Sequence, residues 1–220
     1  MKTLENQLIK IKSDIAQMAS IAMNMIKHSI TALCNRDSSL AKEIFDRDDS
    51  VDNLEVEIEE RCIETLALYD PKATDLRFVV TALRIIIDIE RIGDLCVNIS
   101  KQILKLNEIP QLKPYEDLPV MAEKVITMLS DVISSYFIKN DNLARDVIKR
   151  DDSVDDLNYS IIRELLHLIK DDQNKLEGAL SLIFITKNFE RIADHCTNIA
   201  ELVIYMDTAN IVKHNKELIE

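Results

Sequence analysis

Two stretches of this chain occur twice, in the same order. Arg47-Asp-Asp-Ser-Val-Asp-Asn-Leu54 returns 103 residues on as Arg150-Asp-Asp-Ser-Val-Asp-Asp-Leu157. Glu90-Arg-Ile-Gly-Asp94 with Asn98-Ile99 returns 100 residues on as Glu190-Arg-Ile-Ala-Asp194 with Asn198-Ile199. Chance does not give two ordered agreements at nearly equal spacing, so the chain is a duplication and must fold as two like halves. The three-residue difference between the offsets belongs in the turn between the second and third helices of each half.

Each half reads as three helices. From Leu4 to Cys34 the positions Leu8, Ile11, Ile15, Met18, Ala22, Met25, Ser29 and Ala32 recur at three and four, the period of a helix with one buried stripe. A second periodic segment runs from about Leu40 to Tyr69. Asp70-Pro71 then predicts an N-cap acceptor with proline at the first helical position of a third helix reaching about Leu106. Asn107 to Pro119 holds Pro110, Pro114 and Pro119, which a helix interior does not tolerate, and reads as the linker. The pattern restarts with helices from about Val120 to Lys139, from the Asn140-Asp141 turn to about Lys170, and from about Asn174 to Met206. The expected fold is therefore all-α: six long helices in two tandem, pseudo-symmetric three-helix bundles, at 1–108 and 115–210, with a polar tail at 211–220.

Composition agrees and narrows the function. At 47% hydrophobic residues the chain can bury its own core, and two glycines are too few for tight hairpins or phosphate-cradling loops. A net charge of −12 disfavours nucleic acid and anionic lipid and suits cations or basic protein surfaces. Apolar runs are broken by Arg84, Asp88 or Lys187, so no segment is expected to insert in a bilayer. Cys34, Cys62, Cys96 and Cys196 form no C-x-x-C pair and follow no signal peptide. They are expected to be small core residues, reduced in a cytosol.

The residues that carry chemistry are acids. On the third helix, Leu76, Val80, Leu83, Ile87, Glu90, Asp94 and Val97 alternate at three and four, which places Glu90 and Asp94 in the expected apolar seam. In the second copy Leu176, Leu180, Ile183, Glu190, Asp194 and Ile204 repeat that stripe. The second helices add Asp48 with Asp52 and Asp151 with Asp155, again at i and i+4. Such pairs repel unless something neutralises them: a metal cation, a basic neighbour such as Arg84, Arg91 or Arg191, or a raised pKa. The fourfold recurrence favours the metal, and an all-carboxylate donor set selects hard cations such as Mg²⁺, Mn²⁺, iron or Ca²⁺. His195 has Leu95 as its counterpart and is not a shared ligand. Glu55, Glu57, Glu59 and Glu60 lack acidic counterparts and read as surface charge. A di-iron oxidase site needs Glu-x-x-His, but Gly93 and Ala193 stand at those positions, which speaks against oxygen chemistry of that kind. No Gly-rich loop or basic cluster offers an anion site.

Asp75-Leu-Arg77, Ile85-Ile-Ile-Asp-Ile-Glu-Arg-Ile-Gly-Asp94, Glu190-Arg-Ile-Ala-Asp194 and Glu201-Leu-Val-Ile-Tyr205 together closely resemble the PhoU family of phosphate-transport regulators, over almost the whole chain. The resemblance implies tandem three-helix bundles whose E/D-x-x-x-D pairs bind iron, Mn, Mg or another divalent metal, singly or in clusters. Here those pairs are Asp48/Asp52, Glu90/Asp94, Asp151/Asp155 and Glu190/Asp194. It further implies a cytoplasmic, homodimeric, non-enzymatic protein. Such a protein links the ATPase subunit of the phosphate ABC transporter to a sensor histidine kinase and represses the phosphate-starvation response. Two departures, Asn188 for Asp88 and Lys175-Leu-Glu177 for Asp75-Leu-Arg77, imply a second site with fewer acids.

Overall fold

A computed structural model describes residues 3–208; the expected polar tail at 211–220 lies outside the described residues. The chain forms α1 (Leu4–Asn35), α2 (Ser38–Tyr69), α3 (Ala73–Leu106), α4 (Asp117–Ile138), α5 (Asp141–Asp171) and α6 (Leu176–Thr208), the last preceded by a 3-10 turn at Gln173–Lys175. Among the described residues there is no strand, and no helix is long and apolar enough to cross a membrane.

Both halves open their hairpins with the same device. α1 ends where Arg36 takes a left-handed conformation, and Asp37 then caps α2 by accepting from the Ser39 and Leu40 amides. In the second half Lys139 is left-handed and Asn140 caps α5 through the Leu143 amide. The offset difference falls where expected. Asp70, Pro71 and Lys72 separate α2 from α3, whereas Asp172 alone both ends α5 and caps the 3-10 turn leading into α6.

Two boundary expectations are corrected. Asp70 does not start α3; it closes α2 in the left-handed conformation that Asp tolerates, and α3 begins at Ala73 without a side-chain cap. Pro119 lies inside α4, at its third residue. Amides of a first helical turn have no acceptor within the helix, so proline removes nothing there.

α1, α2 and α3 form one bundle and α4, α5 and α6 the other, and the bundles join through α3 against α6 and α1 against α4. Arg77 Nε donates to the Met206 carbonyl at 2.8 Å, and His195 Nδ1 donates to Asp88 Oδ1 at 2.8 Å. One contact lies eleven residues further along α3 and eleven back along α6, so the two helices run antiparallel. The same register brings Arg91-Ile92 beside Arg191-Ile192, and the pseudo-twofold axis passes between the two motifs. The core is continuous across this junction. Phe78 and Tyr136 stack at 4.7 Å between ring centres, and the buried Tyr136 hydroxyl donates to the Phe78 carbonyl at 3.0 Å. α2 and α5 do not touch each other, which leaves one face of the α3/α6 pair uncovered between them. Cys62, Cys96 and Cys196 are buried free thiols as expected, but Cys34 is exposed.

Candidate metal centre

The seam assigned to α3 is displaced by one residue. Its buried stripe is Phe78, Val79, Ala82, Ile85, Ile86, Ile89, Ile92, Gly93 and Cys96, while Leu76, Val80 and Ile87 are 41%, 39% and 50% exposed. Leu176, Leu180 and Phe184 are likewise exposed on α6. Glu90 and Asp94 therefore continue an outward stripe. They stand at the edge of the core on the face that α2 and α5 leave open, not inside it.

α2 comes close to α3 at Gly93. A Cβ on that residue would lie 2.7 Å from Asp48 Oδ1 and 3.6 Å from Val51 Cγ1, so the glycine admits the carboxylate. Asp48 Oδ1 is buried and accepts no hydrogen bond. Burial, then the charges of Asp52, Asp94 and Glu90, raise the Asp48 carboxyl to about 6. Burial and neighbouring acids also raise Asp52 and Glu90. Arg91 reaches Glu90 at 3.4 Å and Asp94 at 3.0 Å, but its side chain is 56% exposed. It offsets the repulsion without filling the gap between α2 and α3.

The second site repeats this arrangement. Asp151 is raised to about 7, by burial first and then by Asp194 and Asp155. Asp155 is raised by burial and then Glu190, and Asp194 by burial and then Glu190. The basic neighbour here is Lys187, 3.0 Å from Glu190, rather than Arg191. Ala193 replaces Gly93, so this copy carries the Cβ that the first lacks.

Two sequence readings change. Glu55 is not plain surface charge. It is half-buried, one turn beyond Asp52, and raised by burial and then Asp52, and it acts in turn on Glu90. Its counterpart Asn158 is buried with an unpartnered Oδ1, so an oxygen-bearing side chain stands at the equivalent position of the second half. The comparison of the halves hid this because it sought an acid rather than an oxygen; the 48, 52, 55 spacing was the available signal. Asp88 is not a first-site acid. It crosses to α6, where His195 and Asn198 donate to it at 2.8 and 3.5 Å. Asn188 instead donates to the Phe184 carbonyl of its own helix. The Asp88/Asn188 difference therefore does not deprive the second site of an acid.

The first set is Asp48, Asp52, Glu55, Glu90 and Asp94; the second is Asp151, Asp155, Asn158, Glu190 and Asp194. Behind them lie Cys96 and Cys196, whose thiols burial, followed chiefly by the Asp48 or Asp151 charge, pushes well above their ordinary range. The donor chemistry is thus oxygen alone, which fits a hard divalent cation, and the orphaned Asp48 oxygen and the Gly93 cradle fit one at the first site. Among the described residues no three His, Cys, Asp or Glu side chains are gathered closely enough to hold a metal ion as they stand. The carboxylates share a face but do not converge on one point.

The PhoU domain model matches residues 15–103 and again 118–203, one match in each half. The chain is 39% identical over 211 residues to the phosphate-specific transport system accessory protein PhoU homolog of Aquifex aeolicus, covering 96% of both chains. It is 35% identical to the homolog of Clostridium acetobutylicum, covering 97% of this chain and 98% of that one. The crystal structure of PhoU from Pseudomonas aeruginosa superposes with a TM-score of 0.90 at 28% identity, over 94% of this chain and all of that one.

Proposed function

The chain belongs to the PhoU family, whose part in phosphate regulation is not catalytic, and from that premise we propose that it is a metal-dependent adaptor. In this reading it connects the ATPase subunit of the phosphate ABC transporter to a sensor histidine kinase on the cytoplasmic side, as a homodimer. It represses the starvation response when phosphate is ample. The observation that carries the metal part is the recurrence of one mutually interacting four-carboxylate set at both sites, with the Asp48 oxygen buried and unpartnered in the first.

Asp48, Asp52, Glu90 and Asp94 would hold one divalent centre, and Asp151, Asp155, Glu190 and Asp194 the other, with iron, manganese or magnesium as the hard cations suited to them. A bound cation supplies the positive charge that lets these acids ionise side by side. The chain's own contribution is to place the acids on two helices of each bundle, so that drawing them together also draws α2 towards α3 and α5 towards α6. The exposed Leu76, Val80, Ile87, Leu176, Leu180 and Phe184 lie on the helices that carry the sites. They give this face apolar surface for a protein partner.

The test is binding of the purified chain to the purified transporter ATPase subunit and to the cytoplasmic part of the kinase, with Mn²⁺ and with chelator. Binding that depends on Mn²⁺, and that Glu90→Ala with Asp94→Ala removes, supports the reading. Equal binding under both conditions separates the adaptor role from the metal.

A further inference from the structure

The two halves differ sharply on the opposite side of α2, where it meets α1. Arg61 Nε donates to Asp14 Oδ2 at 2.9 Å and fixes the register of the α1–α2 hairpin. That register sets His28 opposite Arg47. Their counterparts in the second half, 103 residues on, are Asp131 and Arg150. There the acid is present: Arg150 Nη2 donates to Asp131 Oδ2 at 2.7 Å, and Asp146 lies 3.1 Å from Arg150 Nε as an ion pair, although that buried Nε, like Arg47 Nε, makes no hydrogen bond.

In the first half the acid is missing. Among the described residues Arg47 has no hydrogen bond or ion pair, its Nε is buried without an acceptor, and the buried Nδ1 of His28 is also unpartnered. Glu43, the counterpart of Asp146, is near enough to act on His28 but forms no ion pair with Arg47. Burial lowers the His28 pKa, and the Arg47 charge lowers it further, with Lys27 adding to the positive side. A chain of net charge −12 thus keeps a histidine and a guanidinium facing each other with no carboxylate between them. Burying such groups unpaired is costly. His28 and Arg47 are themselves only half-buried, so a small solute can reach them.

We infer that the α1–α2 hairpin binds a small oxyanion between His28 and Arg47, in the place that the Asp131 carboxylate fills in the second half. Arg47 supplies the planar fork that suits phosphate or carboxylate, and the imidazole supplies one N–H donor. The site rests on the hairpin alone and stands or falls apart from the metal reading.

The experiment follows the His28 ring resonances of full-length, chelator-treated protein during titration with inorganic phosphate and, separately, sodium acetate, each matched to chloride in ionic strength. A saturable displacement is expected with at least one of them, and which one identifies the anion as phosphate or carboxylate. Arg47→Gln should weaken it by about tenfold to hundredfold, the effect of losing a charged donor, while Arg150→Gln leaves it in place. His28→Asp should fold, because it copies the second half, and should melt above the wild type in chloride. It should also lose the part of the phosphate stabilisation that exceeds the general salt effect. The inference is overturned if neither anion gives a saturable displacement, if Arg47→Gln leaves the displacement unchanged, or if His28→Asp keeps the full phosphate response.

Discussion

Replacing Asp48 by asparagine should stabilise the metal-free protein at neutral pH. The carboxyl moves from an ordinary value of 3.8 to about 6 on folding, chiefly because its burial beside Gly93 strips water from the charged form. An acid with a raised folded pKa holds its proton more tightly in the native state. Its unfavourable contribution is absent below 3.8, grows between the two values and is complete above about 6. In a fully closed site a displacement of that size is worth about 3 kcal/mol. Asp48 is only partly buried, and solvent screening reduces this to about 1 kcal/mol. For a chain of this length that is a Tm change of about 2–4 °C. Asparagine keeps the shape and leaves out the charge, so in chelator at pH 7 to 8 it should melt higher than the wild type by that amount. The difference should shrink to nothing as pH falls below the ordinary carboxyl value. Asp151→Asn should give the larger gain, since that carboxyl reaches about 7. Melting curves of the three proteins across pH, with circular dichroism to confirm retained helix, decide the matter. A Tm for Asp48→Asn at or below wild type at pH 7 to 8, or a gain that persists undiminished in acid, would show that the buried Asp48 charge does not destabilise the metal-free fold.

Gly93→Ala adds a methyl 2.7 Å from the Asp48 carboxylate, a side-chain end that can rotate away, and 3.6 to 3.8 Å from Val51 and Met25. Helix propensity favours alanine by about 1 kcal/mol, so the metal-free variant should melt slightly higher while Mn²⁺ stabilises it less than the wild type; differential scanning calorimetry reads both. Tyr136→Phe removes the donor from the Phe78 carbonyl inside the bundle junction and should cost about 1 kcal/mol by chemical denaturation. Arg36→Met withdraws a charged donor from the carbonyls of Leu106, Asn107 and Ile109, which it meets at 3.0, 3.1 and 2.6 Å. That should cost about 1–3 kcal/mol, seen first as faster amide exchange around 106–109.

The duplication was legible from end to end because it rests on residue identity, and the helices because their turns carry caps and prolines. The buried face of α3 was not. The run Phe78-Val-Val-Thr-Ala-Leu-Arg-Ile-Ile-Ile-Asp-Ile89 is apolar on nearly every side, so a stripe through Leu76 and Val80 fits the helical period as well as the true one through Val79 and Ala82. Period gives spacing, not phase. That error placed Glu90 and Asp94 in the interior, although it kept them on one face with each other. Glu55 and Asp88 were misjudged because comparing the halves by residue type overlooks Asn158 as an oxygen donor and misses contacts made between the halves. The contrast between His28 and Asp131 was in plain sight in the sequence, but without the hairpin register nothing connected either to an arginine.

Titration calorimetry of Mn²⁺ into chelator-treated protein at pH 7 decides whether the paired carboxylates are metal ligands. Saturable binding with proton release is expected if they are, since Asp48 and Asp151 must ionise fully to bind. One component should disappear with Glu90→Ala and Asp94→Ala, and the other with Glu190→Ala and Asp194→Ala. Absence of saturable heat, or heats unchanged when all four acids are removed, would show that they are not.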